Sequence, residues 1–244
     1  MTRPAAREPA PLHGRKIVIT RAEPDARRLA DRLAGLGARP IVVPAIRVEF
    51  AEPAPLDAAL RDLGRYQWVI FTSRNGVQAV FRRTKKLAGP KVAAVGRSTA
   101  AELRRHGVEP DLVPEKHVGE AVLEALGTVS GLRILLPRAD IARRALADGL
   151  RERGAQVDDV TVYHTHSERA PRPDLGRVDA VTFTSSSAVR GFLETGPAPP
   201  GAAIICIGPI TAQTAREHGL EVTEVAGDYT EDGLVAALVT ALKR

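Results

Sequence analysis

The sequence predicts an α/β protein built from two similar halves, each a mostly parallel β-sheet flanked by helices. Two observations carry this prediction: short apolar runs alternate with amphipathic segments, and the pattern of the first half returns in the second. A chain of 244 residues is long enough for one large α/β domain or two small ones. With 44% hydrophobic and 26% charged residues, the composition is that of an ordinary globular protein.

The strands are predicted from short, continuous apolar runs, which are typical of strands buried on both faces. In chain order these runs are IVIT, PIVVP, WVIFT, VAAVG, ILLP, VDDVTVY, AVTFT and IICIG. Segments with helical spacing lie between them. Alternation of this kind predicts right-handed β-α-β units and therefore parallel strands.

Three helices are predicted from segments that end in glycine, the residue favoured just beyond a helix C-terminus. They are ARRLADRLAGLG, TAAELRRHG and TAQTAREHG, which end at Gly37, Gly107 and Gly219. The leucines of the first segment share one helical face. Each segment therefore ends as a crossover helix is expected to end.

The chain repeats itself. VIFTSRNGVQAVF returns as AVTFTSSSAVRGFL, which places Phe71 and Phe183 112 residues apart, and Gly96 and Gly208 keep the same separation. Nearer the N-terminus, KIVITR matches RILLPR at a separation of 117 residues, which Ile46 and Tyr163 also share. Unrelated segments would not keep register through so many elements, so the pattern indicates a duplication.

Charge and composition restrict the partners. The net charge is +6 and the pI about 9.9, which favours an acidic partner. Three Tyr, five Phe and one Trp provide little for stacking nucleic-acid bases, and the arginines are dispersed, so we expect a polyanionic small molecule and no nucleic acid. The chain contains no run of about 20 apolar residues and no signal-peptide pattern, which predicts a cytoplasmic protein that does not span a membrane.

The sequence contains few of the residues and motifs that metal, cofactor or thiol chemistry requires. The single cysteine, Cys206, lies in an apolar run, where a buried inert thiol is favoured over a nucleophile. His164 and His166 are closely spaced, but no carboxylate-rich cluster accompanies them, and residues two apart on a strand share a direction in any case. The GxGxxG and GxxxxGK[ST] patterns are absent. We therefore predict no metal and no cofactor.

Polar turns are predicted at the carboxyl ends of the strands, where ligands of parallel sheets bind. They are Thr20-Arg21, Thr72-Ser73-Arg74-Asn75, Gly96-Arg97-Ser98-Thr99, Pro137-Arg138, Thr184-Ser185-Ser186-Ser187 and Gly208-Pro209-Ile210-Thr211. Such turns leave backbone N–H groups open to an anion, although Ser and Thr could instead simply cap the helices. Taken singly, capping is the better interpretation; six turns in paired halves favour an anion-binding surface.

At these turns the sequence resembles the uroporphyrinogen-III synthase family. The resemblance rests on the order and spacing of FTSRNGV, VAAVGRST, VTVYHT, VTFTSSSAV and IGPITAQTAREHGL, and it extends from Lys16 to about Leu242. It implies that the first β-α-β portion is exchanged between the halves. One lobe would then comprise residues 16–46 and 167–244 and the other residues 47–166, joined by a two-stranded linker, after a disordered tail of residues 1–15.

The resemblance also implies an activity. Members of this family convert hydroxymethylbilane, a linear tetrapyrrole, into uroporphyrinogen III with inversion of the last ring, without a cofactor and as monomers. Tyr163 matches the family's tyrosine beside the linker and would assist departure of the hydroxyl group. The alternative is an aromatic residue that merely packs at a strand end.

The substrate-binding residues are carried over position by position. The family's serine-bearing turns match Ser73, Ser185 and Ser187, and its cleft threonines match Thr99 and Thr211. At Asn75 some relatives carry a basic residue, for which Arg74 would compensate. The remaining candidates, from the turns themselves, are Gly96 and Gly208 as amide donors and Arg21 and Arg138 as carboxylate partners; a solvated strand-end arginine is the alternative for the last two.

Two other functions remain open at this level. The chain could be a non-catalytic relative that binds or senses tetrapyrroles, although the retained Tyr163 and the absence of an appended DNA-binding motif after LVTALKR favour catalysis. It could also be a two-lobed binding protein for another anion, comparable to periplasmic solute binders, against which the lack of an export signal argues.

Overall fold

The computed structural model describes residues 10–23, 25–115 and 119–243, apart from the side chain of Glu120. Within these ranges the strands are β1 Lys16–Ile19, β2 Arg39–Val42, β3 Ile46–Phe50, β4 Trp68–Phe71, β5 Lys91–Ala94, β6 Arg133–Ala139, β7 Gln156–Ser167, β8 Ala180–Phe183, β9 Ala203–Cys206 and β10 Val222–Val225. The helices are α1 Asp25–Gly35, α2 Pro53–Arg61, α3 Arg74–Phe81, α4 Arg97–Arg105, α5 Gly119–Leu126, α6 Ala145–Glu152, α7 Ser186–Glu194, α8 Pro209–Glu217 and α9 Glu231–Leu242.

The predicted elements are present. A strand occupies each of the apolar runs, and a helix occupies each of the three glycine-terminated segments. The predicted helix-ending glycines have positive φ angles of 87° at Gly37, 77° at Gly107 and 78° at Gly219. Such angles are strained for other residues, which explains why glycine stands there.

The chain divides into two units. We call the described residues up to Arg47 and from His166 onward the first unit, and Val48–Thr165 the second unit. The first unit contains a sheet of order β10-β9-β8-β1-β2, with parallel pairing throughout. Because β1 pairs with both β2 and β8, segments from the two ends of the chain form one sheet. Its edge strands are β2 and β10.

Both faces of this sheet are buried. Ile17 and Ile19 of β1 point into one apolar cluster with α1 and α9, whereas Val18 points into another with α7 and α8. All three side chains are fully buried. The continuous apolar runs therefore arise because successive side chains, which alternate between faces, meet a helical layer on either side.

The second unit repeats this order. Its sheet is β3-β7-β6-β4-β5, with parallel pairing of β7 with β6, β6 with β4, and β4 with β5. An isolated parallel bridge from Ala93 to Leu112 continues the sheet beyond β5, at the place that β10 takes in the first unit. The chain crosses between the units in β3 and β7, which are neighbours in this sheet. The predicted fold class, including the two-stranded linker, is thus confirmed.

The predicted boundaries differ from the two units at their edges. The sequence prediction places Arg47 and His166 in the second lobe, whereas their contacts assign both to the first unit. Each of them lies inside a strand that continues across the boundary, β3 or β7. Resemblance alone could not resolve a boundary within a strand.

The predicted disordered tail needs a correction. Residues 1–9 of it lie outside the described residues, but residues 10–15 are ordered against the first unit. Leu12 is fully buried in the α1–α9 cluster, and its N–H group donates to the Leu36 carbonyl at 3.1 Å. Arg15 pairs with Asp179 at 3.0 Å. The Pro/Ala-rich composition did not indicate that Leu12 is buried, because the apolar site that it occupies forms only when α1 and α9 fold.

The longest of the described helices is α9, with 12 residues. No helix within the described ranges combines the length and the hydropathy that a membrane crossing requires.

Candidate active site

Two serines begin matching helices in the two units. Ser73 follows β4, and its Oγ accepts a hydrogen bond from the Gly76 N–H group at 3.1 Å. Ser185 follows β8 and accepts from the Ala188 N–H group at the same distance. Helix capping, the simpler of the two interpretations offered by the sequence, is therefore present at both serines. Capping uses one lone pair of each hydroxyl and leaves its other hydrogen-bonding capacity available.

Two glycines begin the neighbouring helices without a side-chain cap. Gly96 precedes α4 and Gly208 precedes α8, both in extended conformation. Because a glycine cannot supply a capping oxygen, the first-turn N–H groups of these helices receive no side-chain partner from the cap position. Such groups suit an anion, and the helix dipole adds to the attraction.

In each unit the sheet brings a serine-capped and a glycine-capped helix together. Strands β4 and β5 are neighbours, and so are β8 and β9, so the turns that follow them lie side by side at the carboxyl edge. We define the first rim as Arg21, Ser185, Ser187, Gly208 and Thr211, and the second rim as Ser73, Arg74, Asn75, Gly96, Thr99, Arg138 and Tyr163. Each rim lies within one unit, at the place where parallel sheets bind ligands.

The threonines of these rims face inward. Thr99 is 3% exposed and Thr211 is 5% exposed. In contrast, Arg74, Asn75 and Ser187 are half-buried, with Ser187 Oγ 3.0 Å from Ser185 Oγ. The hydroxyl-bearing residues nearest to solvent are therefore the serines at the helix starts.

The two strand-end arginines are buried and paired within the protein. Arg21 is 7% exposed and donates to Glu231 at 2.8 Å and to Asp25 at 3.1 Å. Arg138 is 6% exposed and forms a two-pronged ion pair with Asp159. The interpretation of these residues as solvated basic side chains is wrong, because carboxylates on neighbouring elements draw each guanidinium into the protein.

A β-bulge directs Tyr163 into the second unit. In the pairing of β6 with β7, Arg138 lies opposite Thr161, but Ala139 lies opposite Tyr163, so that one extra residue is inserted in β7. Val162 and Tyr163 consequently belong to the same apolar cluster, which strict alternation would not allow. Tyr163 is 7% exposed.

The phenol of Tyr163 points at the start of α3. Its hydroxyl donates to Ser73 Oγ at 3.0 Å, and Asn75 hydrogen-bonds to the phenol oxygen as well. Burial raises the pKa of Tyr163 above its ordinary value, and these two hydrogen bonds offset only part of the rise. The phenol is therefore protonated at neutral pH and can serve as a donor.

An acid–histidine pair adjoins this tyrosine, and the sequence interpretation did not include Asp140. The Asp140 N–H group donates to the Tyr163 carbonyl at 3.1 Å, and its carboxylate lies 2.9 Å from His164 Nδ1. Burial alone would raise the pKa of Asp140, but hydrogen bonds from His164 and two backbone N–H groups hold it below its usual value. Asp140 lies 117 residues after Glu23, so the repeat was the signal that could have marked this position.

A further residue missed by the sequence interpretation is Tyr229. It follows β10 and lies over Gly208, where its ring would be 3.4 Å from a Cβ atom at that glycine.

Metal ligands are not gathered anywhere in the described ranges: no group of three or more His, Cys, Asp or Glu residues could hold an ion there. Cys206 is buried, and burial raises the pKa of its thiol to about 12.

Comparisons with known proteins identify the family. Residues 27–236 match the family model described as uroporphyrinogen-III synthase HemD. The uroporphyrinogen-III synthase of Synechococcus elongatus is 30% identical over 93% of this chain and 96% of its own. That of Escherichia coli is 25% identical over 91% of this chain and 99% of its own.

Solved structures agree with the fold. The uroporphyrinogen III synthase of Thermus thermophilus, in a mutant form, superposes with a TM-score of 0.66 at 19% identity, over 94% of this chain and 99% of the other. The Helicobacter pylori enzyme gives a TM-score of 0.57 at 18% identity, over 93% and 99% of the two chains. From the extent of the family match and the identity to its members, the chain belongs to the uroporphyrinogen-III synthase family.

Proposed function

We propose that this chain is a uroporphyrinogen-III synthase, which closes hydroxymethylbilane to uroporphyrinogen III and inverts the last ring. The observation that carries the proposal is the buried Tyr163 hydroxyl, hydrogen-bonded to Ser73 at the carboxyl edge of a parallel sheet, in a chain of this family. A non-catalytic relative would have no need of a buried hydroxyl chain at that edge.

The reaction requires one proton to be delivered and another to be removed. The bond from the terminal carbon to its hydroxyl breaks with both electrons on oxygen, and the oxygen takes a proton to leave as water. The resulting azafulvene is attacked by the last ring, and the spiro intermediate fragments and recloses. Regaining aromaticity then releases a proton from a pyrrole carbon, so the protons balance. A hydroxyl donor held in fixed geometry is what the protein must supply.

Each rim offers donors for substrate carboxylates. In the second rim these are first-turn N–H groups of α3 and α4, and in the first rim those of α7 and those of α8 after Pro209, which has no N–H group. Hydrogen bonds from backbone N–H groups to a carboxylate are charge-assisted and need no particular side chain. We propose that Gly96 and Gly208 serve binding because they place no side chain between the start of each helix and a ligand.

For the two arginines we propose an indirect role. Arg21 and Arg138 already bind carboxylates of the protein, so they stabilise the turns that hold the rims. Removing one of them would break the charge-assisted hydrogen bonds of a buried guanidinium and leave a partly exposed carboxylate without that partner, which lowers stability. We therefore expect Arg138→Gln to lower stability before it changes substrate affinity.

The test is product analysis. Purified protein is mixed with enzymatically generated hydroxymethylbilane, the products are oxidised, and the type I and type III isomers are separated. We expect the type III isomer at a rate far above that of uncatalysed closure. Only type I, formed at the uncatalysed rate, would refute synthase activity and leave a tetrapyrrole-binding relative.

Two tyrosine variants connect the activity to the site. Tyr163→Phe should lower kcat about 100-fold, the lower range for loss of a positioned proton donor. Tyr66→Phe is the matched control, because Tyr66 is also buried in the second unit and its hydroxyl donates to Asp158 at 2.6 Å. It should lower the free energy of unfolding by about 1 kcal/mol and leave kcat unchanged. Equal activity of Tyr163→Phe and parent would remove Tyr163 from the mechanism.

We also propose that the protein acts as a monomer in the cytoplasm, with hydroxymethylbilane as its ligand. Sedimentation velocity at two concentrations tests the first part, since a monomer keeps one sedimentation coefficient.

A further inference from the structure

We propose that Ser73, and not Tyr163, presents the proton to the departing hydroxyl of the substrate, while Tyr163 acts behind it as the proton reservoir. The inference rests on the proposed synthase activity. It assigns to Ser73 a chemical role in addition to capping α3.

The first argument is the hydrogen-bond capacity of Ser73. A serine hydroxyl has one O–H donor and two acceptor lone pairs. One lone pair of Ser73 accepts from the Gly76 N–H group at 3.1 Å, and the other accepts from the Tyr163 hydroxyl at 3.0 Å. Within the described part of the chain, the hydrogen bonds of Ser73 leave its own O–H without an acceptor. The one remaining bond of this oxygen is therefore a donor.

The second argument is the direction of the Tyr163 hydroxyl. Its proton lies on the bond to Ser73, and the residue is 7% exposed, whereas Ser73 is half-buried. A substrate at the rim meets the serine before it meets the tyrosine. For the phenol to donate directly, it would have to break its bond to Ser73 and turn within an apolar cluster.

The third argument is a comparison within the molecule. Ser185 takes the same position in the first unit and caps α7 with the same 3.1 Å hydrogen bond. The residue that matches Tyr163 there is Ile46, so no phenol reaches this serine, which instead contacts Ser187. The cap is present in both units but the tyrosine–serine hydrogen bond in only the second, so capping does not account for the tyrosine.

The proposed step balances. As the carbon–oxygen bond of the substrate breaks, the Ser73 proton moves to the leaving oxygen and the Tyr163 proton moves to Ser73 Oγ. The two transfers are concerted, so that no serine alkoxide forms, and water leaves. The proton that the pyrrole carbon later releases returns to the phenolate through the same serine. Asn75, which hydrogen-bonds to the phenol oxygen, stabilises its charged form in the interval.

The test is a double-mutant cycle on Ser73 and Tyr163, measured as kcat and KM for type III formation. If the two residues form one relay, Ser73→Ala and Tyr163→Phe should each lower kcat about 100-fold with little change in KM. The double variant should be no slower than the slower single variant, because residues that act as a unit are not additive. Ser73→Thr, which keeps the hydroxyl, should restore most of kcat.

Two further variants separate chemistry from capping. Thr230→Ala removes an equal cap, the 3.1 Å bond to the Gly233 N–H group at the start of α9, and should lower stability while kcat stays at the parent value. Ser73→Gly removes the hydroxyl but keeps a residue that begins helices elsewhere in this chain, and it replaces Ser73→Ala if that variant does not fold. It should be as slow as Ser73→Ala.

Parent kcat in the folded Ser73→Ala or Ser73→Gly variant would overturn the relay. So would losses that multiply in the double variant, since that result means independent roles. Neither result would affect the synthase proposal, which depends on the isomer that the parent protein forms.

Discussion

At the scale of single residues, Cys206 shows how burial sets reactivity. Its side chain is fully buried in β9, and burial raises the pKa of the thiol to about 12. The thiolate is the reactive form, so the folded protein should contain almost none of it at pH 8. We expect a thiol reagent to modify Cys206 at the rate of unfolding, measured across a urea series. Modification of the native protein as fast as that of the denatured chain would contradict this prediction.

Arg21 and Arg138 show that the identity of a residue does not predict its environment. Arg21 follows β1 as predicted, whereas Arg138, predicted to follow its strand, lies inside β6, and the burial of both was not predicted. Their carboxylate partners lie on other elements, such as Asp159 on β7 and Glu231 at the start of α9. A strand-end arginine looks the same in sequence whether it faces solvent or a carboxylate.

At the scale of elements, α7 and α3 show how the duplication diverged. Gly191 of α7 corresponds to Ala79 of α3. A Cβ atom at Gly191 would lie 2.1 Å from the carbonyl oxygen of Ala45, on the segment that leads into β3. The glycine is therefore required by close packing of a helix against backbone.

Gly191→Ala should destabilise the protein by about 1–3 kcal/mol, the usual cost of overpacking, in urea denaturation. Gly35→Ala is its control, because Gly35 also lies in a helix but a Cβ atom there would meet nothing within 4 Å. That variant should gain about 0.4–1 kcal/mol, since alanine restricts the unfolded chain. Equal effects of the two substitutions would show that packing against Ala45 is unimportant.

At the scale of the whole molecule, the N-terminal segment is part of the first unit. A chain that begins at Lys16 lacks Leu12 and the Arg15–Asp179 pair, so it should be less stable than one that begins at Ala10. Leu12→Ala in the full chain should cost about 2–5 kcal/mol, as for other fully buried leucines. Thermal and urea unfolding measure the stability of the truncated chains and of Leu12→Ala. If the chain that begins at Lys16 were as stable as the parent, Leu12 would contribute nothing to stability.

Local signals explain most of what was predicted. Apolar runs gave the strands, and glycines with positive φ gave the helix ends, because both depend on conformational preferences of a few adjacent residues. The assignment of segments to the two lobes did not follow from these signals. It came from the family resemblance, since the repeat by itself suggests that each half pairs with itself.

The sequence by itself determined the α/β class, the duplication and the polar turns at the strand ends, because each is recorded in the spacing of neighbouring residues. Only the tertiary structure decided that Tyr163 meets Ser73, a residue 90 positions away, and that Arg138 is buried against Asp159. The bulge in β7 turns Tyr163 inward, and the pairing of β4 with β6 sets the distance. Contacts of this kind depend on register and packing across the sheet, for which no short stretch of sequence carries a signal.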